Sequence, residues 1–239
     1  MTHSSGDSTP GCRNCWRELV RCPVPEPRAL IVDWGGVLTG DLRVAVQRWA
    51  EIDGVDLQTY ASLMRDWLGE PAGMEALLNP VHALERGEMA LPDFESRLAR
   101  ALSERTGRPV EERGLLGRMF EHFEHAEDMS GLVRRARAAG IRTALCSNSW
   151  GNDYPRDGWD DMFDVVVISG EVGMRKPEPR IFEHTLKLVG VSAEESVFVD
   201  DLPHNIAAAV ALGMIGIRHV GYETTALEID ALFGIHLSS

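Results

Sequence analysis

Five short apolar runs, each ending in small or polar residues, recur along the chain and restrict the folds open to it. The first, Ala29-Leu30-Ile31-Val32, leads into Asp33 and then Gly35-Gly36. Residues 141–146 lead into Ser147-Asn148, and residues 165–168 into Ser169-Gly170. Residues 196–199 lead into Asp200-Asp201, and residues 214–220 read as a fifth run. Successive side chains of a strand point to opposite faces, so an unbroken apolar run must be covered on both sides, as strands of parallel sheets are. Helical periodicity over residues 130–139, 179–189 and 205–212 fills the intervals. This alternation predicts an α/β fold, a doubly wound parallel sheet with a Rossmann-like core and ligands at the carboxyl ends of its strands.

One interval breaks the rhythm. Residues 41–128 contain no β-rich run, only amphipathic patterns at 44–52, 57–68, 72–86, 92–106 and 111–123. The expected organisation is an α/β core of residues 28–40 and 129–239, with residues 41–128 inserted as a helical cap over the strand ends. Residues 1–27, closing on Pro23-Val24-Pro25-Glu26-Pro27, read as a disordered leader. Cys12 and Cys15 have the spacing of a zinc knuckle that His3 or Cys22 could complete, but no second pair follows. Cys146 ends an apolar run and reads as a small buried hydrophobe.

Composition narrows the partners. A net charge of −13 and a pI near 5.0 argue against nucleic acid and anionic membranes. No apolar run approaches the ~18 residues of a membrane span, and residues 1–10 lack the apolar core of a signal peptide. The expectation is a cytoplasmic enzyme acting on a small molecule. Oligomeric state has no signature in the sequence.

The strand ends carry the chemistry. Singly, an aspartate after a strand also caps helices, Ser-Asn also makes turns, and Lys-Pro also makes surface bends. Together they form a complementary set, because a carboxylate nucleophile needs donors, a cation and a hard metal held by further carboxylates. In this order they resemble the haloacid dehalogenase (HAD) superfamily, in its phosphatase branch with a helical cap after the first motif. Asp33-Trp34-Gly35-Gly36-Val37-Leu38 is similar to the family's Asp-x-x-Gly-[Val/Thr]-[Leu/Val]. Ser147-Asn148 resembles the second motif, Lys176-Pro177 within residues 173–179 the third, and Asp200-Asp201-Leu202-Pro203-His204-Asn205 the paired-acid fourth.

The resemblance implies a role for each residue. Asp33 would attack phosphorus and become an aspartyl phosphate. Ser147 and the backbone amide of Asn148 would hold phosphoryl oxygens, and Lys176 would neutralise charge on both partners. Mg²⁺ would be bound by Asp33, Asp201 and the Gly35 carbonyl, with Asp200 in support and Asn205 positioning the loop. The implied substrate is a small phosphorylated metabolite, and nothing readable in residues 41–128 specifies which.

One position departs from the pattern. Most family phosphatases carry a second aspartate two residues after the nucleophile, where it protonates the leaving group and later activates water. Here it is Gly35. A cap residue, Asp41 or water would have to supply the proton. Two alternatives follow: a non-catalytic HAD-like binding protein, or a metal-free dehalogenase-type hydrolase in which Asp33 attacks carbon. Members of the latter class resemble one another in an aromatic residue at the Gly35 position and lack the paired acids.

Trp34, Trp150 and Tyr154 flank the first two motifs, where aromatics either pack or stack on a sugar or base. His122 and His125 stand one helical turn apart beside Glu121 and Glu124, a spacing compatible with a metal but more usual on an exposed helix face.

Overall fold

The computed structural model describes residues 25–68, 79–151 and 154–238. His3, Cys12, Cys15 and Cys22, most of the expected leader, and the first part of the expected 72–86 helix lie outside the described residues.

Strands β1 (Ala29–Val32), β2 (Arg142–Ser147), β3 (Val165–Ile168), β4 (Ser196–Asp200) and β5 (Ile215–Arg218) form one parallel sheet in the order β3-β2-β1-β4-β5. The apolar run of β1 is split by its pleat. Leu30 and Val32 face a core shared with Leu132 and Val133 of α6 (Glu127–Ala138) and Ile229 of α10 (Tyr222–Phe233). Ala29 and Ile31 face a second core with Ile181 and Phe182 of α8 (Pro179–Val189) and Ala209 of α9 (Pro203–Ala211). Each large side chain buried in these layers contributes roughly 1.5–3 kcal/mol by leaving water. Neither α10 nor the single turn α7 (Ser169–Val172) was foreseen from sequence periodicity.

Among the described residues, five helices lie between β1 and α6: α1 (Leu42–Asp53), α2 (Leu57–Leu68), α3 (Pro80–Glu85), α4 (Leu91–Thr106) and α5 (Leu115–Phe120). They bury a third core around Trp49, Leu63, Phe94, Leu98, Leu102 and Leu115. Pro80 opens α3, and the Asn79 side chain accepts hydrogen bonds from the amides of Val81 and His82 at 3.0 and 3.2 Å. This matches the preference for Asn at the cap and Pro in the first turn. Helix α5 starts later than its 111–123 pattern, where the buried Glu95 carboxylate accepts from the amides of Gly114 and Leu116 at 3.1 and 2.9 Å, and it ends at Phe120. Past that end His122 lies in a turn and His125 in an isolated bridge to Thr39, so the helix-face spacing does not exist. Among the described residues no helix is long and apolar enough to cross a membrane.

The end of α3 is fastened to the carboxyl edge of the sheet. Arg86 reaches Glu178 at 3.0 Å, and the Ser169 hydroxyl donates to the Glu85 carbonyl. Gly87, at φ +70°, lies so close to Gly170 that a Cβ would sit 2.6 Å from its carbonyl oxygen. Only glycine fits that crossing.

Candidate active site

Parallel register sets the site. Val32 is level with Leu145 on one side and Val199 on the other, so Asp33 emerges beside the ends of β2 and β4. The Asp33 amide donates to the Val199 carbonyl at 2.9 Å, continuing the ladder one residue past the strand. The order of strands reverses at β1, which makes this edge the topological switch point where open α/β sheets bind ligands.

The Lys176 ammonium, fully buried, lies 2.7 Å from Asp33 Oδ1 and 2.7 Å from Asp200 Oδ2. Its loop is held by Asn148, whose side chain accepts from the Lys176 amide at 2.8 Å and donates to the Lys176 carbonyl at 3.0 Å. Asn205 Nδ2 donates to both oxygens of Asp200 at 3.1 Å. Asp200 is therefore fully engaged, while Asp201, one residue on, faces the cavity.

The carboxylates outnumber the cation. One oxygen each from Asp33, Asp200 and Asp201 lies within 4.8 Å of the others. Burial, opposed by Lys176 and assisted by Asp200 and Asp201, pushes the Asp33 carboxyl up to about 7. Burial and then Asp200 push Asp201 up to about 6. Burial alone would lower the Lys176 ammonium, but Asp200 and Asp33 outweigh it and hold it well above the ordinary lysine range. Crowded, partly desolvated oxygens of this kind fit a hard divalent cation such as Mg²⁺. Gly36 permits the crowding: at φ +73° it lies where a Cβ would be 2.7 Å from Asp201 Oδ2.

Of the residues predicted for the site, Asp33, Gly35, Ser147, Asn148, Lys176, Asp201 and Asn205 line one cavity of ≈ 280 Å³, and Asp200 lies directly behind it. The Ser147 hydroxyl is 3.1 Å from the Tyr154 hydroxyl, which also reaches the Asn148 carbonyl at 3.4 Å. Trp34 stacks on Phe123 at 5.9 Å and takes the edge of Tyr154 at 5.0 Å, and with Trp150 and Tyr154 it also lines the cavity. Cys146 is buried with its thiol pushed up to about 11 by desolvation, the state of an inert core thiol. Asp41 is absent from the lining; it caps α1 and pairs with Arg43 at 2.8 Å.

Sequence reasoning missed Glu85 and Arg175. Glu85, the last residue of α3, is buried in the cavity wall and bonded to Arg175 Nε, and it accepts the Trp150 indole N–H at 3.2 Å. Arg175 had a faint signal, a second cation directly before Lys176. Glu85 had none, because only the crossing at Gly87 brings α3 to the strand ends.

Comparison with known proteins identifies the family and the fold. The chain is 34% identical over 111 residues to sesquiterpene phosphatase astK of Aspergillus oryzae, a stretch covering 44% of this chain and 56% of the relative. It is 33% identical over 136 residues to phosphoserine phosphatase of Thermus thermophilus, covering 53% of each. The matched stretches thus span about half the length of these two relatives. In fold it is similar to a HAD family enzyme from Bacteroides thetaiotaomicron, with a TM-score of 0.61 at 20% identity, covering 85% of this chain and 98% of that one. A model of the haloacid dehalogenase-like hydrolases matches residues 27–213, and the chain belongs to that family of hydrolases.

Proposed function

We propose that the chain is a Mg²⁺-dependent phosphomonoesterase acting on a small phosphorylated metabolite through an aspartyl phosphate on Asp33. The observation that carries this reading is the three-carboxylate cluster around one buried ammonium. Both described donors to Asp33, the Trp34 amide at 2.7 Å and Lys176 Nζ, go to Oδ1. Oδ2 is then the attacking atom: it forms a bond to phosphorus as the bond from phosphorus to the ester oxygen breaks, and the leaving oxygen takes its proton from water, since Gly35 carries none. Lys176 and the Ser147 hydroxyl offset the charge gathering on the phosphoryl oxygens, the main requirement of phosphoryl transfer. Mg²⁺ held by Asp33, Asp201 and the Gly35 carbonyl would add further neutralisation there. Asn205 and the Leu202 amide, 2.9 Å from Asp200 Oδ1, keep Asp200 from rotating away from Lys176. Water then attacks the aspartyl phosphate, releasing inorganic phosphate and restoring Asp33.

Helices α1–α5 serve as the cap in this proposal, and the net charge of −13 argues against a nucleic-acid partner. Metal-free attack on carbon would leave Asp201, which faces the cavity, without a task. The test is a screen of phosphorylated metabolites with and without Mg²⁺, measuring released phosphate. Release only with Mg²⁺ supports the reading; halide release from haloacids in excess chelator would replace it with the dehalogenase reading. Binding of a phosphate analogue without any turnover would make the chain a non-catalytic relative.

A further inference from the structure

The cavity has two chemically different halves. Its floor carries Asp33, Lys176, Asp201 and Arg175. Its described roof is built by α1, α2, α5 and the residues just after α5: Leu42, Val46, Tyr60, Met119, Phe120 and Phe123. The polar atoms of that roof are already committed. The Tyr60 hydroxyl is turned to the Met119 sulfur at 3.9 Å, and the Glu85 carboxylate is taken up by Arg175 and Trp150. On the floor side the Tyr154 hydroxyl is committed to Ser147 and Asn148. His204, at the start of α9, also lines the cavity, but a sugar or amino-acid leaving group set against α1 and α5 would lose water there without gaining partners from Leu42, Val46, Met119, Phe120 or Phe123. An alkyl, prenyl or aryl group would instead exchange water for matched apolar surface.

Resting on the phosphomonoesterase reading above, we infer that the substrate class is a phosphate monoester whose leaving group is an uncharged apolar chain or ring seated against α1 and α5. The half-buried Leu42 and Val46, one turn apart on α1, and Phe120 of α5 present the contact face. At ≈ 280 Å³ the cavity lies just below the roughly 300–1,000 Å³ of ligand pockets. It therefore suits one compact apolar group rather than a whole lipid.

The test uses the full chain with Mg²⁺ and n-alkyl phosphates from methyl to octyl, beside glucose 6-phosphate and phosphoserine. Burial of each added methylene should raise kcat/KM about fourfold until the cavity is filled, and the two polar esters should trail an alkyl phosphate of similar size. A flat or falling trend with chain length, or a lead for either polar ester, overturns the inference while leaving the phosphatase reading intact. If no ester releases phosphate, the phosphatase reading fails. The inference is then decided by calorimetric binding of the matching alkylphosphonates, where affinity must climb with chain length and indifference to length refutes it. Val46→Asp should flatten the dependence on chain length, and a variant that folds by circular dichroism yet keeps the full slope also counts against the assignment.

Discussion

Gly35→Asp is the most informative single change, because it restores the carboxyl that most family phosphatases use as acid and base. Gly35 lines the cavity, and a Cβ there would meet only the Leu42 Cδ1 methyl at 3.5 Å, ordinary van der Waals contact. Its backbone is not in the positive-φ region, unlike that of Gly36 beside it. The new side chain therefore enters the cavity lining without backbone strain. The surrounding carboxylates of Asp33, Asp200 and Asp201 favour its protonated form, which is the form a general acid needs. General acid catalysis contributes about 10²–10⁴-fold, or roughly 3–5 kcal/mol of barrier. The gain should be largest for alkyl phosphates, whose leaving oxygen is most basic, and near unity for acyl or aryl phosphates. The assay is a series of esters of graded leaving-group acidity, run on both proteins with pre-steady-state bursts to isolate phosphorylation of Asp33. The wild-type chain should show a steep dependence on leaving-group acidity and an accumulating phosphoenzyme. The variant should show a flatter dependence and faster water attack. A flat dependence in the wild-type chain, or a ratio at or below one for every ester with the fold intact, would mean that another group supplies the proton, and the reasoning about Gly35 would fail.

Five further outcomes are expected. Asp33→Asn should keep the fold and lower turnover by about 10³-fold or more, as measured by phosphate release, since an amide forms no aspartyl phosphate. Lys176→Met removes the ammonium between Asp33 and Asp200 and should cost about 3–5 kcal/mol, a fall in melting temperature of roughly 6–20 °C, with partial recovery in acid as Asp33 takes up a proton. The Asp33 carboxyl titrates near 7 in the folded chain against an ordinary 3.8, so the folded chain holds a proton the unfolded chain has lost, and apo stability should fall as the pH rises through that window. Mg²⁺ must displace that proton and the one on Asp201, so the rise in melting temperature it produces should be small at pH 5 and grow through about 6 and 7; an equal rise at all pH values would count against a site at these carboxylates. Gly36→Ala would place a methyl 2.7 Å from Asp201 Oδ2, and its Mg²⁺ requirement should rise at least tenfold, as read from activity or calorimetry.

Sequence alone determined the sheet and its chemical edge. An unbroken apolar run such as Ala29–Val32 can only be satisfied by cover on both faces, which dictates parallel strands with helices above and below. The polar residues ending β1, β2 and β4 then had to share one edge, because parallel strands bring all their carboxyl ends to the same side. Local periodicity also announced α2 and α8 over the residues they occupy, since an amphipathic stripe needs no distant partner to be recognised. It announced neither α10 nor the early start of α6, whose first turn carries Glu127 and Asp128 rather than an apolar face. Glu95 meets the start of α5 from across the helical core, a contact no window of neighbouring residues contains. Tertiary structure likewise decided that Glu85 would reach Arg175, that Asp41 would turn away to Arg43, and that the roof over Asp33 would be apolar. Those outcomes depend on how five helices with their own core settle on a sheet edge. The physical constraint is the close crossing of Gly87 over Gly170, a distance set by two backbones 83 residues apart in the chain and therefore invisible to any local pattern.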